Sequence, residues 1–155
     1  MSLPSNWKWL REDVVIAIHD AQLAEHGGTS GVRSVELLES ALARPQTTAA
    51  HLGSDDVIAV GAMYAIAIAR NHPFIDGNKR VAWAAMRTFL ILNGVTLEFD
   101  RVDAVREMLA LAAGVRTDDE FTEWVRGRSA AAIALDRGGP STTLGMTKKT
   151  NALDK

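Results

Sequence analysis

Apolar residues recur at helical spacing along most of this chain. Over Leu10–Glu25, the positions Val14, Val15, Ile18 and Leu23 fall near one side of a helix, His19 is read on its polar stripe, and His26-Gly27-Gly28 supplies a stop. Over Val32–Ala43, Val35, Leu38 and Leu42 make one stripe. Pro45 is read as its end, because proline lacks a backbone donor and biases its predecessor away from helix. Asp55–Arg70 is apolar on nearly every side and rich in small residues (Ala59, Gly61, Ala62, Ala65), the pattern of a central buried helix. Asn78–Leu92 reads as a second core helix stopped by Asn93-Gly94. Val95–Phe99 reads as a short extended piece and Asp103–Ala113 as a further helix. Thr117–Gly127 reads as the last helix, opened by a capping box of Thr117 with Glu120. Gln46–Ser54 has no periodicity and reads as a loop. The fold class is all-α, a compact bundle of about six helices. Beyond Ser129 the pattern decays, so residues 1–128 are read as one helical domain and 129–155 as a disordered C-terminal tail.

Composition narrows the classes of function. The chain has 155 residues, 47% hydrophobic and 23% charged, as in a soluble globular domain. There is no cysteine, which excludes disulfides and thiolate metal sites and fits a reducing cytoplasm. The longest uncharged apolar run, Val57–Ala69, falls short of the roughly 20 residues of a membrane span, and no signal-peptide pattern opens the chain. A cytoplasmic protein without a membrane partner is expected. The net charge of −2 argues against direct nucleic-acid binding by bulk electrostatics. Any positive site must be local, and cations gather at Arg70, Lys79 and Arg80.

The chemistry concentrates in His72-Pro-Phe-Ile-Asp-Gly-Asn-Lys-Arg80, between two apolar-rich runs. Phosphoryl or nucleotidyl transfer needs a base near an acceptor hydroxyl, a divalent cation and positive groups aimed at phosphates. His72 suits the base, since its ordinary pKa lies near neutrality; the plainer reading is a histidine satisfied at a helix C-terminus. Asp76 is a hard oxygen donor suited to Mg²⁺, or else a helix cap. Gly77, Asn78 and Lys79 open a helix, where free backbone N–H groups attract anions. Lys79 and Arg80 stand where cations oppose the helix dipole, which suggests a bound anion. Pro73 ends the incoming helix at His72, and Phe74 anchors the loop in the core.

This nonapeptide resembles the signature of the Fic/Doc superfamily, specifically its Doc branch of death-on-curing toxins from bacterial toxin–antitoxin pairs. Leu37-Leu-Glu-Ser-Ala-Leu-Ala-Arg-Pro45, Ile68-Ala-Arg-Asn71 and Phe89-Leu-Ile-Leu-Asn-Gly94 also look like Doc-type sequence, so the resemblance covers roughly residues 10–128. It implies that His72 accepts the target hydroxyl's proton, that Asp76 engages Mg²⁺, and that Gly77, Asn78, Lys79 and Arg80 hold the phosphates of ATP. Arg70 is the remaining cation near the motif. By the same resemblance Pro45, Gln46, His51 and Gly53 belong to a flap over the target segment.

Fic proteins that attach AMP mostly carry Gly-Asn-Gly-Arg and a second arginine three residues on; here Lys79 replaces the glycine and Trp83 stands at the arginine's place. In Doc-type relatives that lysine goes with an inverted nucleotide and transfer of the γ-phosphoryl group. The resemblance therefore implies a kinase-like toxin acting on a protein hydroxyl, with a bacterial elongation factor of the Tu type as precedent. Transfer of AMP and a catalytically silent binding module are the alternatives. No Ser or Thr has a Glu four residues later, so the family's self-inhibitory element is absent from the sequence. Inhibition is expected from a small cognate antitoxin with a segment that folds on binding.

Overall fold

The stretches of helical periodicity become six helices in the computed structural model, which describes residues 7–52 and 56–131. They are α1 (Glu12–His26), α2 (Val35–Leu52), α3 (Val57–Asn71), α4 (Asn78–Leu92), α5 (Arg101–Ala112) and α6 (Asp118–Gly127). The all-α bundle expected from the sequence is what forms, with one small addition. Strands β1 (Val95–Leu97) and β2 (Ser129–Ala131) pair antiparallel, Thr96 opposite Ala130. Regular structure therefore runs past residue 128 into the segment assigned to the tail; residues 132–155 lie outside the described residues.

α3 is the axis of the bundle. Its residues Val60, Ala62, Tyr64–Ala69 are fully buried, and α2, α4, α5 and α6 all pack around it. Small residues make the closest approach possible: a Cβ added at Gly61 would lie 2.5 Å from Leu90 Cδ2 on α4. Asp56 caps α3, accepting from the Ala59 N–H at 3.1 Å, and a two-bond ion pair with Arg126 ties this start to the end of α6. At α6 the capping box is complete, Thr117 Oγ1 accepting from Glu120 N–H and Glu120 from Thr117 N–H.

Two readings are corrected. α2 does not end at Pro45 but continues to Leu52, so Pro45, Gln46 and His51 are helical and not part of a loop; Gly53 lies outside the described residues. The reason is burial: Leu38, Ala41, Leu42, Pro45 and Ala49 form one buried stripe of helical period. That packing outweighs the donor Pro45 lacks.

His19 is the second correction. Read as part of a polar stripe, it is 1% exposed, because Val15, His19 and Leu23 recur every four residues on the face α1 turns inward.

Candidate active site

The motif forms the turn between α3 and α4, and its geometry follows from Pro73. Proline disfavours right-handed helix at the residue before it. His72 accordingly leaves α3 in the left-handed region (φ 51°, ψ 55°), its N–H still bonded to Ile68 C=O at 3.2 Å. It is the only non-glycine residue with positive φ among the described residues. Its side chain is exposed.

A strap, residues 28–34, holds this turn. Arg33 donates through Nε to His72 C=O (2.7 Å) and through Nη2 to Asn71 C=O (2.9 Å), capping the carbonyl end of α3. The Arg33 and Ser34 N–H groups reach Pro73 C=O, Val32 bridges Phe74, and Ile75 N–H reaches Gly31 C=O. Thr29 N–H donates to Asp76 Oδ2 at 3.1 Å. Gly28 is needed here, since a Cβ would meet Leu23 Cδ2 at 2.9 Å and Asp76 Oδ2 at 3.0 Å, and its φ is +124°.

Asn78 locks the loop from inside. Its Oδ1 accepts from Phe74 N–H and its Nδ2 donates to Phe74 C=O, both at 2.9 Å. The Asn78 side chain thus serves the loop's shape. Phe74 is buried, stacked on His19 with centroids 3.9 Å apart. The first helical bond of α4 is Val81 N–H to Gly77 C=O, so the N–H groups of Asn78, Lys79 and Arg80 have no intrahelical partner. Gly77, at φ 76°, turns the chain into that helix. Lys79 and Arg80 are exposed beside these N–H groups, an arrangement that fits a polyphosphate.

Asp76 is neither buried nor a helix cap of the usual kind. Its Oδ1 accepts from the Gly77 N–H at 2.8 Å and Oδ2 from Thr29. These two N–H donors, and then the charge of Arg80, hold its carboxyl below the usual range, so it is ionised near neutrality. Among the described residues no three His, Asp or Glu side chains converge on a point. A single ionised carboxylate beside a phosphate cradle fits Mg²⁺, which takes one or two carboxylates and completes its shell with phosphate and water.

A groove of about 630 Å³ opens from this loop. Asp76, Gly77, Lys79 and Arg80 form one end; Trp83 and Arg87 continue along α4. Gln22, Glu25 and His26 of α1 form one wall, and Val105, Met108 and Leu109 of α5 the other. Arg87 and Arg101 are groove cations that sequence reading missed. Arg87 had a signal, lying seven residues after Arg80 on the same helical face. Trp83 lies against Phe99, ring centroids 5.0 Å apart. Arg70 does not join the groove; it pairs with Asp118 and with Arg116 C=O, bracing α3 against the start of α6. His51 instead lines a separate shallow cleft on α2 with Ser40, Arg44 and Thr47.

A model of the Fic/DOC family matches residues 9–90 of the chain. The chain is 41% identical over 128 residues to a protein named Toxin Doc from Mycolicibacterium smegmatis, covering 79% of this chain and 93% of that one. It is 35% identical over 100 residues to a protein named Protein kinase doc from Escherichia phage P1, covering 64% of this chain and 79% of that one.

Proposed function

Because this chain belongs to the Fic/DOC family, we propose that it is a Doc-type toxin that transfers the γ-phosphoryl group of ATP to a hydroxyl of a target protein. One observation carries the reading: the free N–H groups of residues 78–80, Lys79, Arg80 and the ionised Asp76 converge at one helix start, directly after His72. In the proposed step a ring nitrogen of His72 takes the hydroxyl proton as its oxygen attacks the γ-phosphorus. The bond from that phosphorus to the β,γ-bridging oxygen breaks, and ADP leaves. Asp76 would hold Mg²⁺, which supplies charge neutralisation on the phosphates. Lys79, Arg80 and the helix N-terminus orient the nucleotide.

The names of the two relatives, a toxin and a protein kinase, support this reading over AMP transfer. An elongation factor of the Tu type is the first target to try. The apolar wall of α5, with Val105 and Leu109 about half exposed, is proposed as a seat for an antitoxin segment that folds on binding and covers the groove. No described helix is long and apolar enough to cross a membrane.

The experiment incubates purified protein with bacterial lysate, Mg²⁺ and ATP labelled at the γ or α phosphate. Label transferred from γ only, and lost in His72→Ala, is the expected result. Label from α only would assign AMP transfer to the same site. No His72-dependent transfer would leave a binding module. Co-expression of the cognate antitoxin should relieve growth arrest; persistent arrest would remove that part of the proposal.

A further inference from the structure

We propose that His19 is a positioning residue for the anion loop, holding Asp76 and Gly77 in place from beneath through one hydrogen bond and one stacked ring. Three observations meet at this side chain. Its Nε2 lies 2.8 Å from Asp76 C=O. A carbonyl oxygen can only accept, so Nε2 carries the proton and donates. The ring is stacked on Phe74 at 3.9 Å with planes 13° apart, and Phe74 is the residue whose backbone Asn78 clamps on both sides. Gly77 lies close to the same ring, since a Cβ added there would be 3.8 Å from His19 Cδ2 and Nε2. His19 is nearly fully buried and sits on α1, which sequence separates from the motif by more than fifty residues (57 to Asp76).

The physical consequence is specific to the donor. A phenyl ring at position 19 would fill the space and keep the stack, yet it would leave the Asp76 carbonyl without its partner. Asp76 could then rotate about its backbone, and the aligned N–H groups of the next residues would lose their fixed direction. Preorganised donors matter for anion binding because their alignment is settled before the ligand arrives. Hydrogen-bond partners of metal ligands typically change metal affinity by roughly tenfold or more when removed, and His19 acts on Asp76 at its backbone carbonyl. The part played in nucleotide binding rests on the phosphotransfer reading above; the part played in holding the loop does not.

The test compares wild-type full chain with His19→Phe and His19→Gln, the second of which keeps an N–H donor on a side chain of similar reach. The first readout is the amide NMR spectrum of nucleotide-free protein at Thr29, Gly77 and Asn78. The second is the Mg²⁺ concentration that half-saturates binding of a non-hydrolysable ATP analogue, measured by calorimetry. His19→Phe is expected to move the three amide resonances and raise the Mg²⁺ requirement by about tenfold. His19→Gln is expected to bring both back toward wild type. If His19→Phe fails to fold, His19→Met replaces it, filling the space without a donor. A folded variant lacking the donor, with wild-type amide shifts and Mg²⁺ requirement, would overturn the proposal. If wild type binds no Mg²⁺-nucleotide at all, the phosphotransfer reading fails, and the amide comparison alone still decides whether His19 holds the loop.

Discussion

His72 occupies a backbone conformation that carries a cost of order 1–3 kcal/mol for a residue with a Cβ. A glycine would take the same left-handed cap without strain. His72→Gly is therefore expected to be more stable than His72→Ala by about 1 kcal/mol in urea unfolding, with both inactive. Equal stability would show that the turn relaxes when the side chain goes. Asp76 makes a second prediction, through pH. Its folded pKa is depressed by the N–H donors of Thr29 and Gly77, so its contribution to stability is present above the unfolded value of about 4. That contribution is lost as pH falls through the lower folded value. Asp76→Asn should flatten the acid limb of a stability-against-pH curve and leave the neutral region's slope unchanged.

Among single residues, sequence reading found those that form the motif and missed those that hold it. His72, Asp76 and Lys79 stand together in the chain and could be read as chemistry. Arg33 and His19 act on the motif from 39 and 57 residues away, and only folding brings them there. The spacing of Val15, His19 and Leu23 did carry a signal for burial of His19, overridden by its polar type. Arg33 falls inside the stretch read as helix from Val32, whereas α2 begins only at Val35, so nothing in the sequence marked it as part of a strap.

At the scale of elements, the side-chain cap of α6 was legible, whereas α5, capped by Asp100 and starting at Arg101, was read from Asp103. Thr117 and Glu120 close a full capping box, and Thr117→Ala should cost about 1 kcal/mol, read as a lower urea midpoint at unchanged slope. No loss would mean that packing of Phe121 and Val125 alone fixes α6. Proline misled at α2, because the local cost of Pro45 is met by burial that cannot be seen within α2's own sequence. The strap 28–34 makes the element prediction with functional content. Arg33→Ala removes two charge-assisted bonds to the end of α3 and should lower kcat while costing about 1–3 kcal/mol of stability, with the fold retained. A global loss of folding would instead make the strap a core element.

For the whole molecule, the all-α class followed from periodicity, and the central place of α3 followed from its apolar character on all sides. The groove did not, because its walls come from α1, α4 and α5, whose arrangement depends on α4 packing against α3 and on α1 and α5 packing against α4. Tyr64, deep in that packing, accepts from the Leu10 N–H at 3.0 Å and has its pKa pushed up by burial to about 12. Since the folded value exceeds the unfolded value of about 10, this stability is complete below pH 10 and is lost as pH rises through about 12. Tyr64→Phe should remove that alkaline loss, monitored by thermal melting across the interval.

In the proposed reaction, a histidine at the end of α3 and an anion cradle at the start of α4 pass a γ-phosphoryl group to a protein. The most direct measurement is the intact mass of the isolated target after reaction with Mg²⁺-ATP and either wild type or His72→Ala. A gain of one phosphoryl group with wild type, and none with His72→Ala, is the expected result. A gain of one AMP, or a phosphoryl gain that survives His72→Ala, would contradict the account.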